Sequence, residues 1–216
     1  MVKVMKLATL ITNPREFFGE RIKYRGARKQ GYLALLVGIA FAAQHIGAYM
    51  LLGDVAVDLY EVIVIHLAIF VLAPFGVWIA STILIVFVGR FVLGKIRYGD
   101  VFRLVGWGLL PLGIAGAIQS IARYISLQGV APPDLGLFSY IAYEWDQYRE
   151  YLGTALNEPV FMAATAIGAL FVLYTGVLWM MAIEQIGTED GLPITRTKAV
   201  VIVAVPIVLA FGWLLF

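Results

Sequence analysis

The sequence predicts an all-α, polytopic membrane protein: a bundle of five transmembrane helices with an amphipathic N-terminal helix and an external interfacial helix. Three observations carry that prediction. The first is composition. The chain has 216 residues, 62% hydrophobic and only 14% charged, with a mean hydropathy of +0.89. A soluble domain is roughly 45–50% apolar and about 25% charged. One core of this size cannot hide so much apolar surface, so the surface itself faces a bilayer. The second is length. Five apolar runs, near 31–52, 62–90, 103–125, 159–183 and 199–216, approach the about 20 residues that span a hydrocarbon core. The third is charge. Residues 1–30 hold eight of the 16 Lys and Arg: Lys3, Lys6, Arg15, Arg21, Lys23, Arg25, Arg28 and Lys29. The turn after the second run holds Arg90, Lys95, Arg97 and Arg103, and the turn after the fourth holds Arg196 and Lys198. Only Arg123 and Arg149 fall elsewhere, beside most of the acids: Asp54, Asp58, Glu61, Asp134, Glu144, Asp146, Glu150 and Glu158. Cytoplasmic loops are enriched in Lys and Arg. Five crossings therefore put the N-terminus in the cytoplasm and the C-terminus outside; an even number would scatter the cations.

Residues 1–30 form a basic cytoplasmic or interfacial segment ahead of a membrane domain at 31–216. "MVKVMKLATLITNPREFF" lacks the apolar length and small-residue site of a cleaved signal. The first span is expected to act as the targeting signal. Asn13-Pro14-Arg15-Glu16 reads as a helix start, with Asn as N-cap, Pro at the first position and Glu placed for a capping-box contact. Phe17, Phe18 and Ile22 then share one face, with Glu16, Glu20 and Lys23 elsewhere. Arg15, Phe17, Phe18, Arg21, Lys23, Arg25, Arg28 and Lys29 are the residues expected to meet lipid or a partner. Each Lys or Arg near an anionic leaflet contributes about 1 kcal/mol.

The second run outlasts a core of about 30 Å at about 1.5 Å per residue. Pro74 lacks an N–H and opposes the Phe70 carbonyl, so a bend is expected there. Gly94 to Asp100 is a basic turn whose Asp100 is expected to cap the third span. That span carries Gly106, Gly108, Gly113, Gly116 and Pro111. In lipid, packing drives helix association, and small residues let backbones approach. Pro111 denies the Trp107 carbonyl its donor and should kink the span. Leu137 to Leu152 repeats Leu137, Ile141, Trp145, Tyr148 and Leu152 at helical spacing. Its Tyr and Trp content suits the headgroup region; it either lies at the interface or packs over the bundle mouth.

Polar residues inside spans are the default functional candidates: Gln44 and His45 in the first, His66 in the second, Gln119 and Arg123 in the third. Two histidines in different spans, with no His-x-x-x-His or His-Glu-x-x-His, argue against a metal site. They are expected to bond backbone carbonyls or meet headgroups. The absence of cysteine removes disulfides, thiolate sites and cysteine nucleophiles. Ser81, Ser120, Ser126 and Ser139 lack a Gly-x-Ser-x-Gly setting. There is no phosphate loop and no Asp pair within a span. No catalytic residue, metal or cofactor is expected. The basic N-terminus, anchored beside a bilayer, is expected to meet anionic headgroups rather than nucleic acid.

"GKIRYGDVFRLVGWGLLPL", Gly94 to Leu112, resembles the signature of the Yip (Ypt-interacting protein) family of five-span membrane proteins. Arg103, Gly106 and Pro111 stand at the matching positions. "NPREFF" resembles that family's proline-aromatic segment before the first span. "LPITRTKAVVIVAVP" resembles its basic entry to the last span, with Arg196, Ala199 and Pro206 corresponding. The chain departs from eukaryotic members in lacking a long cytosolic N-terminal region and is more similar to short prokaryotic relatives. A prokaryotic plasma membrane is therefore expected. The resemblance implies a non-enzymatic membrane organiser or adaptor, since eukaryotic members act in vesicle traffic with lipidated small GTPases. A GTPase partner does not carry over; a cytoplasmic protein, anionic lipid and a second copy in a homo-oligomer remain the expected partners. The alternative is a small transporter or lipid-handling protein built around Pro74 and Pro111, with a dimer supplying the missing symmetry.

Overall fold

The computed structural model of the chain describes residues 8–23, 26–134, 141–189, 191 and 194–214. Every regular element among them is helical. Residues 8–12 are helical. They are followed by α1 (Pro14–Arg21), α2 (Arg28–Leu51), α3 (Val55–Asp58), α4 (Tyr60–Leu93), α5 (Tyr98–Trp107), α6 (Leu110–Leu127) and α7 (Ile141–Thr154). A 3₁₀ turn at Ala155–Asn157 leads into α8 (Pro159–Glu189), and α9 (Arg196–Leu214) is the last described element. Four stretches are long and apolar enough to cross a membrane: Arg28–Leu51, Tyr60–Leu93, Tyr98–Leu127 and Pro159–Thr188. Their outward apolar side chains stay uncovered. Leu72 is 63% exposed and Leu170 64%, which fits lipid as the solvent and not water. The expected fifth span is not among the four; α9 has 19 residues, opens on Arg196 and carries Pro206 inside.

The elements differ from expectation at their ends. Asn13 is the N-cap of α1, but its side chain makes no cap bond to the backbone. Its Nδ2 instead donates to Glu16 Oε2 at 2.7 Å, so the two capping-box side chains meet each other. Asp100 is not a cap. Arg97 holds that place for α5, and the Asp100 carboxylate, one turn in, pairs with Arg103. α4 runs unbroken through Pro74. After it, Gly94 turns the chain at φ +76°, in the left-handed region that favours glycine. The expected helix near 137–152 is observed as α7, from Ile141; residues 135–140 lie outside the described residues.

The chain packs as two compact units: Met1–Ala34 with Phe75–Pro111 and Val172–Phe216, and Leu35–Pro74 with Leu112–Phe171. In the first unit, α1 folds onto the helices. Phe17 and Phe18, expected to face lipid or a partner, are buried instead, and Phe17 meets Trp107 edge-on at 5.3 Å. The apolar face read as a membrane face is spent on the protein's own core. Arg15 Nη2 lies 3.0 Å from Glu184 Oε2 of α8, and the Tyr174 hydroxyl donates to the Ile11 carbonyl at 3.1 Å.

The second unit has its own core. Ala48, Leu52, Leu59, Val62, Ala122, Leu127 and Phe161 are buried together with Tyr148, Tyr151 and Leu152 of α7. Of the two readings open for this helix, packing onto helices describes its buried side. The N-terminal side chain Ile141 remains exposed.

Candidate functional site

The motif of the third membrane-capable stretch is a packed hydrogen-bond junction in the first unit. Pro111 offers no N–H to the Trp107 carbonyl, and the helix gives way just before it. The Gly108 and Leu109 N–H groups bond the Val105 and Gly106 carbonyls at 2.9 and 3.4 Å, in tighter i→i+3 turns. Three side chains donate to carbonyls of the same short helix. Trp78 Nε1 reaches Phe102 at 2.7 Å, Gln30 Nε2 reaches Arg103 at 3.0 Å, and Trp179 Nε1 reaches Val105 at 2.9 Å. Glycine makes room for them. A Cβ on Gly106 would stand 2.8 Å from Gln30 Cβ and 2.8 Å from Trp78 Cε2, and one on Gly108 2.4 Å from the Trp179 ring. Arg103 turns back on its own helix. Its Nε donates to the Gly99 carbonyl at 3.0 Å, beside its pair with Asp100. Arg103, Gly106 and Pro111 thus build one junction, whose partners Gln30, Trp78 and Trp179 carry no local signal in the sequence.

The basic residues of the N-terminal segment lie close by. Lys23, Arg28 and Lys29 are exposed; Arg25 lies outside the described residues. The Arg21 guanidinium sits over the rings of Phe17 and Trp107, 5.1 and 5.3 Å from their centroids. Arg28 lies over Tyr32 and donates from Nε to its hydroxyl at 2.9 Å. Arg21, Arg28, Lys29, Gln30, Tyr32 and Trp107 line a cavity of about 390 Å³. It offers cations and aromatic walls, which suit an anion with an apolar attachment.

In the second unit the intramembrane polar candidates converge. His45 and His66 have ring centroids 5.2 Å apart. His66 Nδ1 lies 2.8 Å from the Val62 carbonyl, the backbone bond expected of it. His45 differs: its Nδ1 lies 2.9 Å from the Tyr148 hydroxyl, and its Nε2 lies 3.4 Å from Gln44 Nε2. Trp145 covers His66 at 4.1 Å between centroids, and Phe70 flanks His45 at 4.7 Å. Gln119 Nε2 reaches the Thr165 hydroxyl at 3.5 Å. Arg123 is buried, with its guanidinium 4.7 Å over the Phe161 ring. Burial holds the Tyr148 phenol well above its usual range, against an opposing pull from Arg123. Tyr148 therefore stays a neutral hydroxyl. It sits 103 residues from His45, so only the fold brings the pair together. Among the described residues, no group of three or more His, Asp or Glu is placed to hold a metal ion.

A family model described as the Yip1 domain matches residues 8–216. No curated protein and no solved structure matches the chain. The family match takes in the Arg103–Pro111 junction and all four membrane-capable stretches. The chain is a multi-pass integral membrane protein and belongs to the Yip1 domain family.

Proposed function

We propose that the protein is a non-enzymatic organiser or adaptor of a prokaryotic plasma membrane, with its basic face on the cytoplasmic leaflet. In this reading α9 is the fifth crossing, the N-terminus is cytoplasmic and the C-terminus is outside. The basic face meets anionic headgroups and recruits a cytoplasmic protein, and the chain works alone or as a homo-oligomer. One observation carries the reading: α1 is anchored by Phe17 and Phe18, while Lys23, Arg28 and Lys29 stay exposed beside it. An apolar anchor that leaves cations outward presents a charged platform. The transport alternative is not favoured. His45 is engaged with Tyr148 and Gln119 with Thr165, and the basic cavity is lined by neither Gln44 nor Arg123.

The test is cross-linking of the tagged, full-length protein in its native membrane, followed by identification of what is recovered. The Lys23→Gln/Arg28→Gln/Lys29→Gln variant is run beside it. A cytoplasmic protein recovered with the parent and lost with the variant supports an adaptor. Recovery of the same set from both, or of no cytoplasmic protein from either, removes the reading.

A further inference from the structure

The cavity at the start of α2 combines features that select a ligand. Arg21, Arg28 and Lys29 line it, and no Asp or Glu stands among its described lining residues. α2 has no acid in its first turn. The first N–H groups of a helix lack intrahelical partners and favour negative charge. Gln30 adds an independent requirement. It is only 4% exposed, its Nε2 is committed to the Arg103 carbonyl, and its Oε1 is buried with no hydrogen-bond partner. A buried acceptor left unmade is costly, and Gln30 is one of the residues lining a cavity of about 390 Å³, within the range of ligand sites.

We propose that this cavity binds the headgroup of an anionic glycerophospholipid of the phosphatidylglycerol type. The phosphodiester lies among Arg21, Arg28 and Lys29, and a headgroup hydroxyl donates to Gln30 Oε1. Three cations without a lining acid favour a headgroup with net negative charge over a zwitterionic one. A lipid, and not a soluble phosphate, is the occupant because Arg28 and Lys29 open a helix of membrane-spanning length and composition. That position sets them at headgroup depth, where Tyr32 and Trp107 are also at home. The proposal deepens the reading of the basic face and rests on its placement at the bilayer surface.

The test uses the full-length protein, purified in neutral detergent free of phosphatidylglycerol. Melting temperature is titrated with dioleoyl phosphatidylglycerol, dioleoyl phosphatidylcholine and soluble sn-glycerol 3-phosphate, and bound lipid is counted by native mass spectrometry. Phosphatidylglycerol should raise the melting temperature and bind about tenfold more tightly than phosphatidylcholine, the ratio given by one charge-assisted hydrogen bond. Arg28→Gln/Lys29→Gln should lose that preference. The charge-matched Arg196→Gln/Lys198→Gln, whose side chains are exposed on α9, should keep it. Equal loss in both variants overturns the site and leaves the general attraction of the basic face standing. Full stabilisation by glycerol phosphate alone overturns the lipid as occupant. Neither result bears on the cross-linking experiment, so the two readings fail separately.

Discussion

Gly106, Gly108 and Gly116 stand where a methyl group has no room. Built Cβ atoms come within 2.8 Å of Trp78, 2.4 Å of Trp179 and 2.5 Å of Phe41 respectively. Trp179 cannot swing aside cheaply, because its indole N–H is bonded to Val105. Gly108→Ala should therefore cost about 1–3 kcal/mol by overpacking, read as a loss of several degrees in detergent melting temperature. Gly76→Ala, with nothing within 4 Å of its Cβ, should be neutral or slightly stabilising; an equal loss there would show that any change in these helices is harmful. The glycines were legible in the sequence as close-approach positions, since they interrupt an apolar run. Their partners were not, because nothing local pairs Gly106 with Gln30 or Gly108 with Trp179. Tyr148 shows the same limit. Tyr148→Phe strips the hydroxyl from buried His45 and should cost about 1–3 kcal/mol at neutral pH. It also changes the alkaline limb. Burial raises the Tyr148 pKa in the folded state, so the unfolded chain loses its proton first, near pH 10. The parent's stability should fall as pH climbs past that value, and the phenylalanine variant should fall less steeply. Parallel curves would mean that Tyr148 is not held neutral by the fold.

At the scale of elements, α1 poses a choice between two anchors. Arg15 is 56% exposed in its pair with Glu184, and an exposed ion pair contributes about 0–1 kcal/mol. Phe17 is 3% exposed, and truncating a buried Phe to Ala costs about 3–5 kcal/mol. Glu184→Gln should thus leave the protease resistance of the segment before α2 unchanged, whereas Phe17→Ala should open it to cleavage. The reverse order would make the ion pair the anchor. The sequence placed α1, its Pro14 start and its aromatic pair correctly, yet assigned the aromatic face to lipid or a partner. A single helix shows which face is apolar, not what covers it. The same ambiguity left α7 open between interface and bundle until Tyr148, Tyr151 and Leu152 were seen buried. Proline behaved in two ways. At Pro111 the helix breaks, with the Gly108 and Leu109 N–H groups in i→i+3 turns just before it. At Pro74 the helix continues, so the same lost N–H ends one helix and is carried inside another.

At the scale of the whole molecule, composition and run length were enough to specify a helical membrane protein, because a bilayer allows few other solutions. The number of crossings is a finer matter, and it turns on α9. With five crossings, Lys23, Arg97 and Lys198 lie on one side, with Asp58 and the C-terminus on the other. With four, α9 returns to the side it left, and the C-terminus joins Lys198. The chain has no cysteine, so single substitutions can be labelled without background. Lys23→Cys, Asp58→Cys and Lys198→Cys, each with a C-terminal epitope, separate the cases in intact cells treated with a membrane-impermeant maleimide. The expected pattern is labelling at 58 only, with the epitope accessible from outside before lysis. An epitope reached only after lysis, with Lys198→Cys still protected, would make α9 a surface helix and leave four crossings. Arg196 and Lys198 stay inside in both patterns, so the first pattern rests on the apolar length of α9 that follows them. Positive charge resists translocation, so it holds the start of α9 inside while the apolar remainder, from Ala199 onward, is free to cross.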